Sequence, residues 1–154
     1  MKRPAHPKRV VCVDDNDFVL KVLQWHLEAR GYRALSYSSA NQALNVISRG
    51  SVDAVVLDYN MPEINGGELA AAIRRRRPGI PILMFSGEVE IPADSLALVD
   101  KFVQKGQPHG FSAVGDFLDS LGSTHQKKNL TREPTRVQAR ASSARSLGRR
   151  AAAA

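Results

Sequence analysis

The chain has 154 residues, 43% of them apolar, and a formal net charge of +7. That length fits one domain with a sizeable core, and no apolar run approaches the ~20 residues that a bilayer-spanning helix needs. The basic start breaks into acid at Asp14, which argues against a secretory leader, and the single cysteine excludes an internal disulfide framework and fits a reducing, cytoplasmic setting.

In chain order, the first predicted element is a strand at residues 10–13, Val-Val-Cys-Val, which ends at the acidic pair Asp14 and Asp15. Inside that run Cys12 reads as a buried small hydrophobe rather than a reactive thiol. An amphipathic helix follows at 18–29, with Val19, Leu23 and Leu27 at four-residue spacing and Gly31 as a left-handed stop. A second strand is predicted at 34–37. The next helix opens on Ser39, with Gln42 at capping-box spacing, and ends at Gly50. A third strand covers 54–57 and stops at Asp58. Asn65 and Glu68 repeat the capping-box relation at the start of a third helix, which turns Leu69 and Ile73 inward. The fourth strand is predicted at 80–85, just before Ser86. Pro92 disfavours helix before it, so a loop and then a short helix near 94–98 are expected. A brief fifth strand at 102–103 precedes Lys105. The final helix is predicted near 111–121, with Val114, Phe117, Leu118 and Leu121 on one side and Gly122 after it.

Strands alternating with helices over short connections predict a parallel sheet covered on both faces, a doubly wound α/β fold with five strands. Three segments are expected: an arm (1–7), a folded domain (8–122) and a basic, disordered tail (123–154). Residues 1–122 hold 14 Lys+Arg and 14 Asp+Glu, whereas residues 123–154 hold eight cations against Glu133 alone, so the net charge belongs to the tail. The tail has no aromatic residue and too few large apolar ones to offset its ordering entropy.

Ligand sites in such folds lie at the carboxyl ends of the strands. Asp14, Asp15, Asp58, Ser86 and Lys105 all fall there. Taken singly, each has a plain structural reading: a helix cap, a turn acid, a loop serine, a surface cation. Together they form an inventory. Clustered carboxylates raise one another's pKa unless a cation joins them, and Mg²⁺ takes oxygen ligands from a few carboxylates plus phosphate. A carboxylate can itself form an aspartyl phosphate, with a lysine and a hydroxyl to meet the phosphoryl oxygens.

These residues carry a resemblance. Val10-Val11-Cys12-Val13-Asp14-Asp15, the stretch from Asp58-Tyr59-Asn60-Met61-Pro62 to Gly66-Gly67-Glu68-Leu69, the run Ile82-Leu83-Met84-Phe85-Ser86-Gly87, and Lys105 are together similar to the receiver (CheY-like, flavodoxin-like) domain of bacterial two-component response regulators. The resemblance covers about residues 8–121 and implies roles. Asp58 would accept a phosphoryl group from a histidine kinase or phosphotransfer protein. Asp14, Asp15, Asp58 and the backbone carbonyl of Asn60 would hold Mg²⁺. Lys105 would bridge to the phosphoryl oxygens, Ser86 would move toward them, and Phe102 would be the aromatic switch, although a permanently buried ring is the plainer reading of Phe102. The family usually has proline after the lysine; Gly106 stands here and implies a looser hold on Lys105. The fourth helix is short where the family's output surface lies.

The resulting expectation is a stand-alone phosphorylation switch that is not an enzyme, with an output protein as partner and no membrane association. An aspartyl-phosphate phosphatase would want an acid where Asn60 stands. The tail could contact nucleic acid or another acidic surface only through non-specific charge. Four arginines at 74–77 read as a solvated helix end, where cations suit the dipole. His6, His26, His109 and His125 have no metal-ligand spacing.

Overall fold

The structure, a computed structural model, describes residues 8–130 and the side chains of residues 8–123. Its elements are β1 (Arg9–Val13), α1 (Asp17–Ala29), β2 (Arg33–Tyr37), α2 (Ala40–Arg49), β3 (Ala54–Leu57), α3 (Gly66–Arg76), β4 (Ile82–Ser86), α4 (Ala93–Leu96), β5 (Lys101–Gln104) and α5 (Gly110–Leu130). The strands form one five-stranded sheet in the order β2-β1-β3-β4-β5, with every neighbouring pair parallel. This is the doubly wound fold expected from the sequence.

Because successive strand residues point to opposite faces, the sheet divides its apolar residues between two cores. Val11, Val13, Val55, Leu57, Ile82 and Met84 pack against α2 and α3. Val10, Cys12, Val56, Leu83, Phe85 and Val103 pack against α1 and α5. Cys12 is fully buried, and desolvation first, then the Asp14 charge, pushes its thiol up to about 12; it is the inert hydrophobe that its surroundings predicted.

Local chemistry fixes most boundaries. Asn16 caps α1 by accepting from the N–H groups of Phe18 and Val19. At its other end Gly31 takes φ +88°, and Gly31 and Tyr32 donate to the carbonyls of Glu28 and Leu27, a Schellman closure. The buried stripe of α1 is Leu20, Leu23 and Leu27, and Val19 is only partly buried, because a sheet-facing stripe alternates three- and four-residue steps. Ser39 accepts from Gln42 at the start of α2, and Asn65 with Glu68 forms the full reciprocal box at α3.

Three boundaries depart from expectation. β4 begins at Ile82 rather than residue 80, since Pro81 has no N–H to donate to the ladder. α4 is a single turn, Ala93–Leu96, with Pro92 before it and no buried residue of its own. α5 does not stop at Gly122 but continues to Leu130. A glycine inside a helix costs only about 1 kcal/mol, and no proline follows until Pro134. The rest of the predicted tail, like the predicted arm at 1–7, lies outside the described residues.

Candidate functional site

The parallel sheet delivers its strand ends to one edge. Asp14 follows β1, Asp58 follows β3, Ser86 closes β4 and Lys105 follows β5. The backbone locks each loop: Asp58 N–H donates to Val13 carbonyl at 2.9 Å, Asp14 N–H to Tyr37 carbonyl at 3.2 Å, and Lys105 N–H to Ser86 carbonyl at 2.8 Å. Residues 91 positions apart in sequence, Lys105 and Asp14, thereby meet.

Oxygen atoms of Asp14, Asp15 and Asp58 lie within 4.8 Å of one another. Asp14 and Asp58 are buried, while Asp15 is exposed at the mouth. Lys105 Nζ sits between the two buried acids, 2.5 Å from Asp14 Oδ2 and 3.3 Å from Asp58 Oδ2. Its ammonium also lies 5.8 Å above the centre of the Phe85 ring. Burial pushes the Asp14 carboxyl above its ordinary pKa, opposed chiefly by the hydrogen bonds from Lys105 and the Asn16 N–H. Three carboxylates and one ammonium leave two uncompensated negative charges, equal and opposite to a divalent cation. All the side-chain donors are hard oxygen, the set that suits Mg²⁺.

The remaining predicted residues divide. Ser86 is buried, and its Oγ accepts from Glu88 N–H at 3.3 Å. Asn60 is exposed, and its amide donates to Glu88 Oε2 at 2.7 Å, linking the β3–α3 and β4–α4 loops beside the acids. That bond, first among the causes, lowers the Glu88 carboxyl pKa. Phe102 is half-buried, opposite Met84 in the β4–β5 register, and packs on the core shared with α3. It lies on the opposite face of β5 from Val103. The position after Lys105 is Gly106 at φ +82°, a conformation closed to proline, whose ring holds φ near −65°. Lys105 is nonetheless held, through its N–H and through both carboxylates.

Sequence reasoning passed over two supports. A Cβ on Gly66 would collide with the Asp58 carbonyl, so glycine lets α3 begin directly against the Asp58 loop. Tyr59 N–H donates to Asp58 Oδ1 at 2.8 Å and orients the carboxylate. The adjacent pair Gly66-Gly67 inside a helix, against propensity, was the available signal.

Fold and site together define a class: a doubly wound α/β domain that gathers an acid cluster, a lysine and a hydroxyl at its strand ends. The chain belongs to the response regulator receiver domain family, whose model matches residues 10–105. It is the receiver domain of a two-component response regulator. Among curated proteins it is similar to the transcriptional regulatory protein GlrR of Escherichia coli K12, 34% identical over 101 residues, which are 66% of this chain and 22% of that protein. It is likewise similar to the alkaline phosphatase synthesis transcriptional regulatory protein PhoP of Bacillus subtilis, 31% identical over 83 residues, 54% of this chain and 35% of that one. The chain thus spans only 22–35% of the length of these relatives. Among solved structures, a CheY-like receiver domain from Methanospirillum hungatei shares the fold at TM-score 0.68 and 21% identity, covering 79% of this chain and 98% of that one. The response regulator TrrA of Thermotoga maritima, solved in complex with Mg²⁺-BeF, matches at TM-score 0.63 and 27% identity, covering 78% and 97%.

Proposed function

We propose that this chain is a phosphorylation switch in which Asp58 accepts a phosphoryl group from the phosphohistidine of a histidine kinase or phosphotransfer protein in the cytoplasm. The observation that carries the reading is the meeting of Asp14, Asp15 and Asp58 around the Lys105 ammonium. An oxygen of Asp58 attacks phosphorus as the bond to the donor nitrogen breaks. Tyr59 N–H, bonded to the other oxygen, fixes the rotamer that aims the attack. Asp14, Asp15, Asp58 and the Asn60 carbonyl are the residues that would hold Mg²⁺, which when bound neutralises charge on the phosphoryl oxygens. Lys105 holds a positive charge against Asp14 and Asp58 in the resting pocket. After transfer it can meet a phosphoryl oxygen in place of the Asp58 carboxylate.

Ser86, buried at the end of β4, supplies the hydroxyl. Its turn toward the phosphoryl group would free space beside β5 for Phe102, coupling the pocket to the surface read by an output protein. That coupling is a two-state element biased by a local charge event. The TrrA structure with Mg²⁺-BeF supports the assignment by likeness.

Phosphoramidate, a small donor with a P–N bond, tests the proposal without a cognate kinase. Intact-mass measurement should show one phosphoryl adduct with Mg²⁺ present, little with a chelator, and none in Asp58→Asn. An adduct of equal yield in that variant would overturn the assignment.

A further inference from the structure

Charge on the folded domain is sorted by pole. The strand-end pole that carries Asp58 also carries Asp15, Asp17, Glu63, Glu88, Glu90 and Asp94, with Lys105 enclosed among the acids. At the opposite pole, where strands begin and α1, α2 and α3 end, exposed cations outnumber exposed acids: Arg30, Arg33, Arg49, Arg75, Arg76 and Lys101 stand against Glu28, Asp53, Asp100, Asp116 and Asp119. The acids of that pole are engaged locally. Asp53 accepts from Arg9 N–H, Asp100 from Arg74 and Ile82 N–H, Glu28 from Gln24, and Asp116 and Asp119 from Arg30, with Tyr32 hydroxyl also donating to Asp119.

Helix dipoles account for only part of this. At the α3 terminus, Arg77 donates to the carbonyls of Ile47, Gly50 and Val52, and Arg74 to those of Leu98, Pro78 and Ile80. Those two arginines tie the end of α3 to the end of α2 and to the segments that lead into β3, β4 and β5. Arg75 and Arg76 are exposed beside them, and Arg76 donates back to the Ala72 carbonyl within its own helix. Arg77 clasps the end of α2 through the carbonyls of Ile47 and Gly50, each at 3.2 Å, which puts the exposed Arg49 of that last turn at the same pole. The predicted solvated helix end is therefore two anchoring arginines and two surplus ones, joined to a third from α2.

α5 passes this same pole: Lys8 Nζ lies 3.2 Å from the Cβ position of Gly122. Its last eight residues, 123–130, then reach about 12 Å beyond. The sequence that follows carries six arginines against Glu133.

We propose that this basal pole is a phosphate-backbone docking surface for duplex nucleic acid, with Arg49, Arg75 and Arg76 as its contact residues. Duplex fits better than single strand, because the exposed aromatics Phe18 and Trp25 lie on α1 and the aromatic at this pole, Tyr32, is half-buried with its hydroxyl bonded to Asp119. The recognition is of phosphate charge and carries no base preference. The acidic pole repels the duplex, so binding turns Asp58 outward, and phosphoryl transfer and docking proceed together.

The test is anisotropy of a short labelled DNA duplex against the full chain, titrated from about 50 to 200 mM salt. The R49Q/R75Q/R76Q variant should bind at least about tenfold more weakly, and its log–log salt slope should fall by about two to three units, near 0.9 for each phosphate no longer neutralised. Phosphoramidate labelling of Asp58 in this variant should match wild type, which shows that the domain is folded. The E90Q/D94N variant at the other pole should bind no more weakly than wild type. An unchanged salt slope in R49Q/R75Q/R76Q would assign binding to the C-terminal sequence alone and overturn the proposal. Absence of duplex binding at the lowest salt, or preferential capture by phosphatidylglycerol vesicles, would overturn it equally.

Discussion

Lys105 sits where its charge matters most and where it must also give way. Its ammonium neutralises Asp14 and Asp58 in the resting pocket, and a divalent cation entering the same acids meets that charge as repulsion. Lys105→Met should therefore tighten Mg²⁺ binding several-fold in a calorimetric titration while slowing phosphoryl transfer to Asp58. Weaker Mg²⁺ binding in that variant would show that the lysine organises the acids rather than competing for them. The acids, Ser86 and Lys105 were legible in sequence because parallel topology places every strand end on one edge, so reading strand ends reads the pocket. The Asn60–Glu88 hydrogen bond was not legible, because it joins two loops 28 residues apart whose geometry no periodicity encodes.

At the scale of elements, α4 is the least anchored piece: one turn, Pro92 at its start, no buried residue. Its tight contact is Ser95 against Gly67 in the first turn of α3. A Cβ on Gly67 would stand only 2.9 Å from Ser95 Cβ, and closer still to its hydroxyl oxygen. Gly67→Ala should cost about 1–3 kcal/mol in urea unfolding, the range of an overpacked contact, and adding Ser95→Gly should restore part of the loss. No change in either variant would mean that α4 moves aside freely. On the other face, Arg30 bridges Asp116 and Asp119, and Tyr32 hydroxyl donates to Asp119 at 2.7 Å, so the end of α1 is pinned to α5. Burial first, then that bond, raises the Tyr32 phenol pKa. A folded pKa above the unfolded one stabilises the fold at pH below about 10 and is lost as pH climbs past it. Tyr32→Phe should cost about 0.5–1.5 kcal/mol at neutral pH and flatten the alkaline loss seen in wild type; an identical alkaline profile would rule the pair out. The strands, the Gly31 stop of α1 and the caps of α2 and α3 were readable because apolar runs and cap residues act within a few positions, whereas the Asn16 cap of α1 was passed over. The end of α5 was not, since Gly122 disfavours helix by less than its neighbours sustain it.

For the whole molecule, the consequence of the fold is polarity. All strands point one way, so the clustered acids and Lys105 gather at one pole while the exposed arginines gather at the other. Sequence showed the net charge and its concentration after residue 122. It did not show that the balanced part of the chain is itself divided, because charges distant in sequence are sorted only when the helices return across the sheet. The central claim is that one carboxylate among fourteen acids in residues 1–122 takes the phosphoryl group. Borohydride reduction of the Mg²⁺-dependent adduct, followed by peptide mass spectrometry, locates it directly. The modification should map to Asp58 and to no other acid; a map to Asp14, to Asp15 or to a histidine would contradict the account.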